Sequence, residues 1–165
     1  MLIRAESPGD EAAIDALTRH AFATMPFSDQ REAEIVRALR RNGTLTLSLV
    51  AIEESEVIGH VAFSPVTIND VHDNWFGLGP ISVSPDRQRQ GIGRALVRVG
   101  LDTLQASAAN GCALIGNPAI YSRLGFISDG QLRYADIANH YVQHIVFQGK
   151  PPAGTLKFAT AFDTQ

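Results

Sequence analysis

At 165 residues, with 45% hydrophobic and 19% charged residues, the chain has the size and composition of a globular domain with a proper core. A net charge of -3 and a pI near 5.9 exclude a global basic field for nucleic acid, and no apolar run approaches the roughly 20 residues that span a bilayer. Cys112 is the single cysteine, which excludes an internal disulfide and a cysteine-only metal cluster.

Residues 2–4 read as a first strand. Ser7-Pro8-Gly9-Asp10-Glu11 carries a cap residue, a first-turn proline and first-turn acids, so a helix is expected to follow, with Ile14, Leu17, Ala21 and Phe22 on its apolar face. Ser28 or Asp29 is expected to cap a second helix whose Ile35, Val36 and Leu39 face inward, and Asn42-Gly43 should end it. Residues 44–52, 57–68 and 75–83 are β-rich and are separated by polar turns at 53–56 and 69–74. They predict an antiparallel meander. A long helix is expected from Gly91 to about Ala109, with Ala95, Leu96, Val99, Leu101 and Leu104 at roughly helical spacing.

Residues 112–116 read as a buried strand, parallel to its predecessor through a right-handed crossover. A short helix is expected near residues 120–124, stopped by Gly125. Beyond Phe126 the pattern is weaker, with an apolar patch at His144-Ile145-Val146-Phe147 and a last strand expected within 156–162. No repeat, low-complexity tract or linker interrupts the chain, so one domain over residues 1–165 is expected. The order of elements predicts an α/β chain with a mixed, mostly antiparallel sheet and helices on both faces. The N-terminus carries no signal-peptide core, and a lone cysteine suits a reducing compartment, so a cytoplasmic location is expected.

The stretch Gln88-Arg89-Gln90-Gly91-Ile92-Gly93-Arg94 opens the long helix directly after a strand. Two glycines let backbone N–H groups face a concave loop, and the helix N-terminus adds unpaired donors and partial positive charge. That combination is an anion site suited to phosphate, with Arg87, Arg89, Arg94 and Arg98 around it.

Three features make the chain resemble the GNAT superfamily of acyl-CoA-dependent acyltransferases. They are Gln88-x-x-Gly91-x-Gly93 after a strand ending Val83-Ser84-Pro85, then Tyr121-Ser122-Arg123-Leu124-Gly125-Phe126, and the element order itself. Gly116-Asn117-Pro118 and the Phe158-x-x-x-Phe162 tail are similar to a bacterial branch of acetyltransferases with unassigned substrates. The resemblance implies an acetyl-CoA-dependent N-acetyltransferase with no metal.

It further implies that the coenzyme A pyrophosphate lies on the N–H groups of Arg89, Gln90, Gly91, Ile92, Gly93, Arg94 and Ala95, supplemented by the Gln88 and Arg94 side chains. The pantetheine arm would pair along Ile81, Ser82 and Val83, where an N–H polarises the thioester carbonyl. Tyr121 matches the family's general acid; the alternative is a ring packed beside the coenzyme with its hydroxyl on a backbone group. Asn117 either binds coenzyme A or substrate, or serves the turn before Pro118. Ile120 stands where the branch often has an aromatic residue. The acceptor would be a small-molecule or peptide amine. Homodimers are frequent in the family, but no interface signature is visible.

No base stands out. Glu53, Glu54, Glu56, Asp70, His72 and Asp73 sit in polar turns, and His60 lies within a strand, facing either a groove or the core. A water relay would need no base at all. Cys112 reads as a small buried hydrophobe, and Phe63, Trp75 and Phe76 read mainly as core. Gly100, inside a helix, is explained by close packing against the sheet. A dinucleotide fingerprint is disfavoured because Leu96 occupies the third glycine position, and no Gly-Lys-Ser/Thr follows to make a P-loop. A coenzyme A-binding module without catalysis, or transfer to oxygen or of a longer acyl group, remain the competing readings.

Overall fold

The computed structural model describes residues 1–163. In chain order it forms β1 (Leu2–Ala5), α1 (Glu11–Phe22), α2 (Glu32–Arg41), β2 (Leu47–Glu53), β3 (Glu56–Pro65), β4 (Thr67–Ile68) and β5 (Trp75–Val83). Then come α3 (Ile92–Ala106), β6 (Gly111–Ile115), a single helical turn α4 (Pro118–Tyr121), β7 (Leu132–Arg133), β8 (Val142–Val146) and β9 (Gly154–Lys157). Six strands form the main sheet in the order β1-β2-β3-β5-β6-β8; every pairing is antiparallel except β5 with β6. β4, β9 and β7 make a small second sheet.

Both faces of the main sheet are covered, which is why its central strands are apolar with little alternation. On one face Leu49, Val61 and Phe63 pack with Leu96, Val97, Leu101 and Leu104 of α3. The residues between them turn the other way: Val50 meets Ile14 of α1 and Val36 of α2, and Ala62 meets Ile35 and Leu39 of α2. Gly100 of α3 sits on the Phe63 ring, as close packing requires.

Several expectations are corrected. Ser28 and Asp29 do not cap α2, whose N-cap is Arg31. Their oxygens instead accept from amides two residues on, Ser28 from Gln30 and Asp29 from Arg31, so both are spent in the preceding loop. Val99 is exposed, since the apolar stripe of α3 runs through Val97 and Gly100 instead. The expected strand over 57–68 breaks at Val66, whose N–H bonds Trp75, and its end joins the small sheet. The last strand ends at Lys157, and Thr160–Asp163 is a helical turn that brings the Phe158 and Phe162 rings to 5.4 Å between centroids.

The feature that makes room for a site lies in β5. Opposite Val61 and Phe63 stand Ile81 and Leu78, so Gly79 and Pro80 face Ala62 alone. Two residues against one is a β-bulge, and Pro80 has no N–H to give a neighbouring strand. Pairing of β5 with β6 covers Trp75, Phe76 and Gly77 and then stops, while β6 continues to Ile115. The two strands part into a V.

Gly100→Ala tests the α3 contact. A Cβ there would lie 2.4 Å from Phe63 Cε2, and that ring is fully buried. The helix-propensity gain of about 1 kcal/mol is outweighed by overpacking of about 1–3 kcal/mol. The expected outcome in denaturant unfolding is a net loss of about 1 kcal/mol.

Candidate active site

The N-terminus of α3 opens beside the V. Gly91, the N-cap, has φ 86°, a left-handed conformation that glycine adopts without a Cβ penalty. The first amide spent inside the helix is that of Ala95, which donates to the Gly91 carbonyl at 3.0 Å. The N–H groups of Ile92, Gly93 and Arg94 are therefore left without helical acceptors, and Ala95 drops out of the expected donor set. Gln88 lines the cleft, whereas Arg87 is turned elsewhere. Gln88 Nε2 donates to the Val83 carbonyl at 3.2 Å, tying the loop to the strand end. Arg87 pairs with Glu53. Arg89, at φ 65°, is exposed with Gln90, and Arg94 lines the cleft.

The cleft, of about 470 Å³, runs between Ile81 and Val83 on β5, Gly93, Arg94 and Val97 on α3, and Ala119, Ile120 and Tyr121. The Ser84 N–H bonds the Ile58 carbonyl at 2.9 Å, across towards β3. Strand alternation then turns the backbone groups of Val83 and Ile81 towards the gap. Ser82 points the other way, with its side chain buried and its Oγ unpaired.

Tyr121 stands across the V on α4. Asn117 caps that turn, accepting from the Ala119 amide at 3.0 Å, and it lines neither cavity; its side chain serves the turn. The Tyr121 ring meets Phe126 edge-on at 6.0 Å, and its hydroxyl has no hydrogen-bond partner among the described residues. Burial pushes the phenol above its ordinary range. Tyr121 and Ile81 also border a second cavity, of about 590 Å³, on the far side of the V. Its walls include Phe22, Leu78, Pro80, Tyr134, Phe158 and Phe162, with Phe27, Asp29 and Glu32 on the side of the α1–α2 loop.

A family model described as an acetyltransferase (GNAT) domain matches residues 45–128. The chain belongs to the GNAT acetyltransferase family. It is 44% identical over 127 residues to the uncharacterized N-acetyltransferase YhbS of Escherichia coli strain K12, covering 76% of this chain and 73% of YhbS. A GNAT family acetyltransferase from Brucella melitensis, solved in complex with acetyl-CoA, superposes with a TM-score of 0.88 at 44% identity over 98% of this chain and 97% of that one. Escherichia coli YhbS, solved in complex with CoA, superposes with a TM-score of 0.90 over 99% and 92%; identity over this longer span is 35%.

The other candidate residues lie away from this GNAT cleft. Glu53 is held by Arg87 and Asp70 by Lys157, while Glu54, Glu56 and Asp73 are exposed. His72 borders a separate depression near Lys157. Trp75 and Phe63 are core, and Cys112 is fully buried, which raises its thiol pKa. No group of three or more metal-ligating side chains occurs among the described residues. The second cavity was not legible beforehand. Phe27 and Asp29 reach it from the α1–α2 loop and Glu32 from the first turn of α2, all set in place by tertiary packing, and the one local signal was the Pro80 that breaks a strand pattern.

His60 faces the core, not a groove. Its Nε2 lies 2.8 Å from Ser48 Oγ, and that hydroxyl donates to Glu6, which also holds Arg40 at 2.9 Å. The network assigns the imidazole proton to Nε2 and leaves buried Nδ1 unpaired. Desolvation, opposed by Glu6 and reinforced by Arg40, pushes the pKa down to about 4. A depressed folded pKa means that stability is full above the unfolded value of about 6.5 and is lost as pH falls towards 4. Unfolding free energy should drop by about 2 kcal/mol between pH 7 and 4.5 on account of His60. His144, also pushed down by burial, adds to the same window. Chemical denaturation of His60→Asn at both pH values should show a smaller drop than the parent; an equal drop would exclude His60 as the cause.

Proposed function

We propose that coenzyme A occupies the α3 cleft, that the amine enters from the second cavity, and that Tyr121 donates a proton to the departing sulfur. The observation that carries this reading is the shared border: Ile81 and Tyr121 line both cavities, so donor and acceptor meet at the mouth of the V. The chain, as a GNAT acetyltransferase, moves an acetyl group from acetyl-CoA to an amine acceptor. Acetyl-CoA supplies a thioester carbonyl and a thiol leaving group.

The free N–H groups of Ile92, Gly93 and Arg94, with the Arg94 side chain, suit the pyrophosphate. The strand edge at Ile81 and Val83 suits the amides of the pantetheine arm, and an N–H there opposes charge developing on the carbonyl oxygen. The amine reaches the site as an ammonium with a pKa near 10, comparable to Lys, and must lose one proton before it can attack. That proton passes through water to the bulk solvent, a route that needs no dedicated residue. As the C–N bond forms and the C–S bond breaks, Tyr121 gives its hydroxyl proton to sulfur, and the second proton of the amine nitrogen restores the phenol. The sum is ammonium plus thioester giving amide, thiol and one proton. The phenol is the weaker acid: about 10 against about 8.5 for the thiol costs about 2 kcal/mol if the transfer were complete on its own. Return of the second proton closes that gap. Burial raises the phenol further and keeps the donor protonated throughout the neutral range.

Calorimetry should show saturable acetyl-CoA binding and none for NAD. Tyr121→Phe should keep that affinity and lower kcat about 100-fold, the scale of one general acid. An unchanged kcat would remove Tyr121 from the chemistry and leave it a packing residue.

A further inference from the structure

We propose that the acceptor is a small monoamine carried on an apolar, ring-sized body, held by Glu32 at its ammonium and covered by Phe27. This rests on the assignment of the second cavity to the acceptor.

Size and surface come first. At about 590 Å³ the cavity falls in the range of small-molecule sites, and its walls are largely aromatic and aliphatic. A polar or multiply charged amine would strand its groups against those walls. Charge comes second. Two acids reach the cavity, and they are not equivalent. Asp29 is neutralised by Arg31 at 3.0 Å, which holds its carboxyl below the usual range. Glu32 has no cationic partner among the described residues; both its oxygens lie 2.7 Å from Ser28 Oγ, which can give its one proton to only one of them at a time. A single unneutralised carboxylate, half-buried beside aromatic rings, complements one ammonium.

The loop that carries these groups supplies the third argument. Phe27 is 100% exposed, although it borders the cavity, and Met25, two residues earlier, is exposed at the coenzyme cleft. A fully exposed phenylalanine adds nothing to the core, and its ring is free to bury against a ligand with a matching face. Bonds from the Gln30 and Arg31 amides to the Ser28 and Asp29 side chains brace the loop.

The test compares 2-phenylethylamine, ethanolamine, spermidine and a short peptide with a free N-terminus at saturating acetyl-CoA, following thiol release with a chromogenic disulfide. Cys112, fully buried, gives no background. The expected kcat/KM for 2-phenylethylamine exceeds the others at least 10-fold. Phe27→Ala should raise its KM about 10-fold with melting temperature and acetyl-CoA affinity unchanged, and Phe27→Leu should recover part of the loss. Glu32→Gln should raise KM at least 10-fold and kcat little. Titration of 2-phenylethylamine into the protein saturated with CoA should show the same losses without turnover. Preference for spermidine, ethanolamine or the peptide, or wild-type KM in both Phe27→Ala and Glu32→Gln, would overturn the proposal while leaving acetyl transfer intact. Absence of acetyl-CoA binding would overturn the underlying assignment and this inference with it.

Discussion

The parting of β5 from β6 is the constraint on which the site depends. A parallel pair inside a sheet normally continues until one strand ends, because each unpaired N–H or C=O that loses water costs about 1–3 kcal/mol. Here the pairing stops at Gly77, with Leu114 and Ile115 of β6 still extended. Pro80 cannot donate, and the bulge at Gly79-Pro80 bends the strand away. On its other edge β5 stays registered with β3 as far as Val83, so the opening is one-sided and firmly backed. That backing distinguishes a built gap from a frayed edge. It also places the N-terminus of α3 on one side of the gap and Tyr121 on the other.

Electrostatics at this gap is local. The chain carries a net charge of -3, yet an anion at the head of α3 meets free amides, the positive end of a helix of 15 residues, and Arg94. Charges more than about 10 Å away are screened at moderate ionic strength, so the global sign matters little to a phosphate held there. Pairing of Arg87 with Glu53 sharpens the arrangement. It removes one cation from the loop and fastens the loop to the end of β2. Gln88 fastens it a second time, to β5. Arg87 thus holds the loop in place, and Gln88 does so from the lining of the cleft itself.

Legibility followed the range of the interactions. The placement of Gly91 and Gly93 at a helix start and of Tyr121 in a helical turn was readable because it depends on neighbours a few residues away. Gly100 was readable too, since a glycine inside a helix demands a close contact, and Phe63 provides it. Ser28, Asp29 and Asn117 show the limit of the same logic. Each has the short oxygen-bearing side chain of a cap, and each does bond a nearby amide, but only Asn117 does so at the start of a helical turn. That Phe27 and Glu32 border a cavity was not visible in the sequence. Nothing within several positions of them says which cavity the α1–α2 loop will border; that is fixed by α1 and α2 packing on the sheet.

Among the described residues, two sets of unpaired polar groups stand out, and the difference between them argues for where the chemistry lies. His60 Nδ1, Ser64 Oγ, Ser82 Oγ and both nitrogens of His144 are sealed inside, where no ligand arrives, and their cost is absorbed by the surrounding core. The second set consists of the amides of Ile92, Gly93 and Arg94, the edge of β5 at Ile81, and the Tyr121 hydroxyl. These groups open on the V, so water satisfies them in the free protein and a ligand with matching donors and acceptors can replace that water at little cost. A surface that needed only to fold would have closed β5 on β6 and paired them. The groups of the second set converge on one gap between two cavities, the arrangement that the proposed transfer between two bound molecules requires.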